Sequence, residues 1–218
     1  MKPQTRFRDR TDAGAQLALQ LKPYANRSDV VVLGLPRGGV PVAYEVALAL
    51  DAPLDVCVVR KLGVPGREEL AMGAIAANVC YLNPAIVKMY RISVAEVRHV
   101  ISEERRELAR REQAYRGDRP PLDLGGHTVI LVDDGLATGA TMIAAAEALG
   151  RQSPEAIVAA VPVAAAQVAQ QLRDRVDALV SVRTPAEMRA IGLWYDNFSQ
   201  TTDEEVRALL HCVSPGQI

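Results

Sequence analysis

Apolar residues recur along the chain in two patterns: short unbroken runs, and longer stretches with an apolar position every three or four residues. The runs read as buried strands and the spaced stretches as helices with one face on a core. Ala13 to Leu21 has the helical spacing and follows Asp9, Thr11 and Asp12, whose side chains can cap it. Val30 to Leu35, rich in β-branched residues, predicts a buried strand that Pro36-Arg37-Gly38-Gly39 breaks. Pro41 suits the first turn of a helix over Val40 to Leu50. Leu54 to Val59 predicts a second strand. The glycines and proline of Gly63 to Glu69 then predict a loop without regular structure, hinged to close as a lid. Met72 to Ala76 and Asn78 to Leu82 predict short strands joined by a turn at Ala77-Asn78.

Pro84 to Tyr90 and Ser93 to Tyr115 read as helices. The second is highly charged, with a narrow apolar stripe at Val94, Val97, Ile101, Leu108 and Tyr115, the pattern of a solvated helix touching the body along one edge. The same stripe leaves open contact with a partner subunit, and so a homodimer. After Pro120-Pro121, strands at Thr128 to Val132, Ala156 to Val161 and Ala178 to Val182 alternate with helices at Thr141 to Leu149 and Ala164 to Leu172. Asp203 to Leu210 predicts a capped terminal helix. This alternation implies an α/β fold, a parallel β-sheet flanked by helices. Ligands of such sheets bind beyond the carboxyl ends of the strands. Three loops of unusual chemistry lie there, Pro36 to Gly39, Arg60 to Glu69 and Asp133 to Thr141, and they should converge.

Composition narrows the setting. With 49% of 218 residues apolar, the chain can bury one substantial core, so residues 1–218 are expected to form one domain with an embellishment. A formal net charge of -1 gives no bulk attraction to nucleic acid or to an anionic membrane. Cys57, Cys80 and Cys212 are odd in number and far apart, which supports neither a disulfide framework nor a zinc site. Met1 to Arg10 lacks the apolar core of a signal peptide, and no apolar run reaches membrane-spanning length, so the expectation is a cytoplasmic protein.

The strongest chemistry lies in Val129-Ile130-Leu131-Val132-Asp133-Asp134-Gly135-Leu136-Ala137-Thr138-Gly139-Ala140-Thr141. A buried strand runs straight into two carboxylates, whose burial without partners would cost several kcal/mol, roughly. They belong at an open strand end with something to bind. Gly135, Gly139 and small neighbours let the backbone aim successive N–H groups at one point as a helix begins, which makes an anion site. Thr138 and Thr141 add hydroxyl donors. Ionised Asp133 and Asp134 only accept hydrogen bonds, so they suit a ribose diol. A phosphate grip beside a diol grip describes a ribose 5-phosphate. A P-loop would need Lys-Ser/Thr where Ala140-Thr141 stands.

This segment resembles the signature by which type I phosphoribosyltransferases bind phosphoribosyl pyrophosphate. Leu33 to Gly39 is similar to their pyrophosphate loop, Arg60 to Glu69 stands where they have a flexible loop, and Pro84 to Arg119 matches no part of them. The resemblance implies a Rossmann-like core with a helical insertion at 84–119 and a small hood at 184–200. It implies that Ala137, Thr138, Gly139, Ala140 and Thr141 hold the 5-phosphate, and that Arg37, Gly38, Gly39, Arg60 and Lys61 hold the pyrophosphate. Asp133, Asp134, Arg37 and Lys61 are then the catalytic group, the carboxylates stabilising a cationic sugar and the cations the departing pyrophosphate. Mg2+ is implied as cofactor, with Asp133 and Asp134 reaching it through water and Asp196 from the hood. On this footing Asp134→Asn should cut turnover sharply and leave the fold intact.

The acceptor is a small nitrogenous base, with conflicting signs as to which. Arg60-Lys61-Leu62-Gly63-Val64-Pro65-Gly66 resembles a stretch of adenine-type enzymes, yet Ala71 stands where those carry a glutamate. Glu68 and Glu69 are the nearby substitutes, or plain solvated charges. Ala178 to Pro185 and Ile191 to Asp196 are similar to the hood of 6-oxopurine enzymes, but Val182 replaces their purine-reading lysine and Ala137 their general-base aspartate. Trp194, with Tyr195 or Phe198 beside it, either stacks on a base or packs the C-terminal segment onto the core. A purine-like acceptor is somewhat favoured. The alternative is a regulatory protein that binds phosphoribosyl pyrophosphate without transferring it.

Overall fold

The computed structural model describes residues 6–76 and 79–212. Helix α1 (Arg10–Gln20) begins earlier than its apolar pattern, because Asp9 accepts from the Asp12 amide and caps it. Strand β1 (Val30–Gly34) leads through the Pro36 to Gly38 turn into α2 (Gly39–Leu50). The run expected as one strand over Leu54 to Val59 is divided: β2 (Leu54–Val56) ends in the main sheet and β3 (Val59–Val64) starts a separate one.

The expected irregular lid is also different. Gly63 to Glu69 is the tip of an antiparallel hairpin between β3 and β4 (Arg67–Ala76), irregular at Gly63 and turning at Pro65-Gly66, where Gly66 has φ +74°. Alternating side chains let Leu62, Val64 and Met72 reach the core, so cross-strand pairing outweighs the local preference of glycine for a loop. Strand β5 (Val79–Leu82) completes the three-stranded sheet, and the expected Ala77-Asn78 turn lies outside the described residues.

Helices α3 (Pro84–Met89) and α4 (Val94–Arg116) follow, the latter opened by a Ser93/Glu96 capping box. Val97, Leu108 and Tyr115 are buried, so α4 packs on the body as expected, while Val94 stays 69% exposed. Its far end is pinned: Arg116 donates to the Asp55 carboxylate and to the Val56 carbonyl on β2.

Strand β6 (Thr128–Val132), α5 (Ala140–Leu149), β7 (Ala156–Val163), α6 (Ala166–Arg173) and β8 (Ala178–Arg183) complete the alternation. A 3-10 turn at Ile191–Trp194 and α7 (Asp203–Cys212) end it. The main sheet is wholly parallel, in the order β2-β1-β6-β7-β8. Alternate residues of its strands face opposite layers. Val30, Val32, Ile130 and Val132 share one core layer with residues of α1, α2, α4 and α7, whereas Val31, Leu33, Val129 and Leu131 share the other with residues of α5 and α6. Strand order reverses between β1 and β6, which opens a crevice beyond their carboxyl ends. No described helix is long and apolar enough to cross a membrane.

Candidate functional site

Gly34 of β1 and Val132 of β6 are register partners at the switch point, and the loops that leave them touch. The Leu35 amide donates to the Val132 carbonyl at 2.8 Å, and the Pro36–Arg37 peptide is cis. A Cβ at Gly38 would stand 2.1 Å from Oδ2 of Asp134, and one at Gly39 would stand 2.7 Å from the Val132 carbonyl oxygen. Only glycine permits this approach, which sets the turn after β1 against the acidic pair.

The two carboxylates are not equivalent. Asp134 is buried, and its Oδ2 accepts from Nε of Arg10 at 3.0 Å and from Nη2 at 2.8 Å. Arg10 also donates to the Ser199 carbonyl at 2.6 Å and lies 4.0 Å from the Phe198 ring centroid. The Tyr195 hydroxyl donates to the Asp134 carbonyl at 2.6 Å. Asp133 keeps partial exposure, and its Oδ1 accepts the Asp134 amide at 2.8 Å. Burial, then the Asp134 charge, push the Asp133 carboxyl well above the usual carboxylate range. Burial also raises Asp134, but the Arg10 guanidinium opposes that rise and supplies its counter-charge. Asp133 is thus the carboxylate left for a ligand hydroxyl.

Beyond the pair, the loop is anchored where Leu136 bridges to Ala164 past the end of β7, its amide on the Val163 carbonyl at 2.8 Å. Gly139 then adopts φ +70° and opens α5. Among the described residues no backbone carbonyl accepts from the amides of Ala137, Thr138, Gly139 or Thr141. The Thr138 and Thr141 side chains are exposed, and Ala140 is half-buried. Unspent amides, two hydroxyls and the positive end of α5 leave this loop with donors that can seat a phosphate-sized anion.

The expected cations are distributed around this centre. Lys61 is exposed and borders two cavities, one shared with Thr141 and the other with Ala140, so it flanks the anion seat. Arg60 donates from Nε to Glu104 of α4 at 2.5 Å. Arg37 turns toward α4 and α7, with Nη1 3.8 Å from Asp203. The loops after β1 and β6 therefore meet at the switch point, while the hairpin reaches the seat through Lys61.

Of the two roles open to Trp194 and Tyr195, stacking on a base or packing the C-terminal segment onto the core, the structure shows the packing. They are 8% and 2% exposed and lie in a core cluster with Phe7, Ala13 and Val163. The Tyr195 ring sits between Phe7 and Phe198, at centroid distances of 5.4 and 4.9 Å, so its faces are occupied by protein. Asp196 is exposed, its amide held by the Phe7 carbonyl. The hood reaches the acidic loop through Ile191, which lies where a Cβ on Gly135 would be 2.7 Å from Cγ2.

Arg10 was invisible to motif reasoning. The one hint is a guanidinium at the first position of a helix, where the dipole disfavours a cation. Glu104 gave no signal beyond a surface charge pattern.

The chain matches known proteins over most of its length. Residues 5–188 match the family model described as "Phosphoribosyl transferase domain". Two Mycobacterium tuberculosis proteins, from strains CDC 1551 and H37Rv and each named "Putative phosphoribosyl transferase", are 45% identical over 205 residues. The match covers 94% of this chain and 46% of each relative, so the chain spans about half their length. The solved structure of TT1426 from Thermus thermophilus has 41% identity and a TM-score of 0.86, covering 97% of this chain and 100% of that one. The AQ2163 protein of Aquifex aeolicus shares the fold at 14% identity and a TM-score of 0.50, covering 94% and 86% of the two chains. By these matches, and with the acidic pair and anion seat at the switch point of its parallel sheet, the chain belongs to the phosphoribosyl transferase domain family.

Proposed function

We propose that the protein transfers the 5-phosphoribosyl group of phosphoribosyl pyrophosphate to a small nitrogenous base, with a purine-like acceptor favoured, and releases pyrophosphate. The observation that carries this reading is the contact between Gly38-Gly39 and Asp133-Asp134 beside the open amides of Ala137, Thr138, Gly139 and Thr141. A 5-phosphate on those amides directs the ribose diol toward Asp133, the carboxylate that Arg10 leaves free. C1 then faces the glycine turn, whose backbone and Arg37 receive the pyrophosphate. Arg60 joins them once it leaves Glu104, and Lys61 closes over the phosphate end. Residues 1–218 act in this reading as one unit, with 84–119 as an added helical wall and 184–200 as the hood.

Among the described residues no group of three or more His, Cys, Asp or Glu could hold a metal alone. Partly exposed Asp133 suits Mg2+ held mainly by the oxygens of the donor: Asp133 would reach it through water and Asp196 from the hood, whereas Asp134, expected to join them, is taken by Arg10. When bound, Mg2+ would neutralise charge developing on the pyrophosphate. The protein residues orient the donor and exclude water.

The test is pyrophosphate release from donor and Mg2+ with a panel of adenine, guanine, hypoxanthine, xanthine, uracil, orotate and small amines. Release with one acceptor class, lost in Asp133→Asn, is expected. Tight donor binding without release for any acceptor would overturn the reading.

A further inference from the structure

A cavity of about 230 Å³ lies behind the turn after β1, on the side facing α4 and α7. Three guanidinium groups line it, Arg37 from the turn and Arg110 and Arg111 from α4, together with Tyr115 and Asp203. The lining is polar, and two carboxylates oppose the three cations. Glu107 accepts from Nε and Nη2 of Arg110 and from Nε of Arg111, at 2.7 to 2.9 Å, and this holds its carboxyl down to about 2. Asp203 accepts the Tyr115 hydroxyl at 2.9 Å and stands 3.8 Å from Arg37. One positive charge is left over. No described acceptor takes a hydrogen bond from Arg37, from Nη1 of Arg110 or from either terminal nitrogen of Arg111.

Glu107 and Asp203 offset two of the three guanidinium charges, so one positive charge and several unspent N–H groups still face the cavity. These N–H groups match tetrahedral oxyanions, which arginine binds through paired charge-assisted hydrogen bonds. The volume is below that of pockets that enclose drug-sized ligands, and it suits one or two phosphoryl groups. We infer that α4, through Arg110 and Arg111 and with Arg37, forms an oxyanion site for phosphate or pyrophosphate behind the donor-binding turn. The site rests on the proposed function only in sharing Arg37, and it needs no transfer reaction. Two sources can supply the anion: the pyrophosphate of the donor, or free inorganic phosphate acting as an effector.

The experiment is calorimetric titration of the intact chain with inorganic phosphate and with pyrophosphate, comparing wild type with Arg110→Gln/Arg111→Gln. Each lost charge-assisted contact should weaken anion binding about tenfold. A second variant, Ala114→Glu, places a carboxylate on the cavity wall at a helix position that tolerates glutamate, and it should abolish the binding event that depends on Arg110 and Arg111 while leaving any binding at the seat before α5. Circular dichroism is the check that both variants fold. A parallel rise in donor Kd assigns the anion to the donor, whereas unchanged donor Kd with lost phosphate binding assigns it to free phosphate. Anion binding that is the same in wild type and both variants, or that wild type lacks, overturns the inference. Arginine-dependent binding without transfer to any acceptor would instead sink the proposed function and leave this site standing.

Discussion

Arg10 and Asp134, 124 residues apart, form an ion pair in which Nε and Nη2 both donate to Oδ2, at 3.0 and 2.8 Å, and the side chains are only 12% and 11% exposed. This pair joins the start of α1 to the acidic loop, and through Ser199 and Phe198 to the hood. Removing one partner strands the other's charge. Arg10→Met is therefore expected to cost about 3 kcal/mol or more in denaturant unfolding. Asp134→Asn should also destabilise, contrary to a purely catalytic role that leaves the fold intact. The double variant should recover part of the loss, and strictly additive losses would show that the two are uncoupled.

Asp133 offers the pH test. Its folded carboxyl is raised above its unfolded value by burial and by Asp134, so the native state holds that proton more tightly. The stability this contributes is present below the ordinary carboxylate range and is lost as pH rises through the raised value. Asp133→Asn, which cannot ionise, should gain stability relative to wild type as pH increases, measured by urea unfolding at a series of pH values. A difference that is flat with pH contradicts the raised carboxyl. The same variant should lose donor affinity.

Gly38→Ala tests the contact between the loops. Its Cβ would fall 2.1 Å from the Asp134 carboxylate and 3.3 Å from Nε of Arg10. Either the turn or the ion pair must move, at a cost of about 1–3 kcal/mol. Donor Kd should rise with the stability loss. Gly66→Ala meets no atom within 4 Å and bears only its positive φ, so it serves as the milder control.

Trp194→Ala separates core packing from ligand stacking. Truncating this buried ring should lower unfolding free energy by about 3–5 kcal/mol. Tyr195→Phe removes one buried hydroxyl and should cost about 1 kcal/mol. An unchanged midpoint for Trp194→Ala, with loss of acceptor affinity alone, would restore the stacking role.

Glu104→Gln frees Arg60 from its α4 partner. Donor KM should fall, because Arg60 no longer has to break an ion pair to reach pyrophosphate. A rise in KM would mean that Glu104 positions Arg60 for binding.

The chain's own order of residues determined the α/β alternation, the buried strands β1 and β6, and the chemistry of Asp133 to Thr141. Those features are local: strand burial follows from unbroken apolar runs, and an anion seat follows from small residues and threonines at a helix start. Other features were decided only when distant surfaces met. Gly63 to Glu69 reads as a loop until cross-strand partners from β4 pair with it. Trp194 and Tyr195 read equally as stacking or core residues until Phe7 and Phe198 cover them. The two aspartates look interchangeable until Arg10 takes one. Periodicity carries the backbone's preferences, whereas the partner of a buried charge depends on which side chains folding brings within a few ångströms.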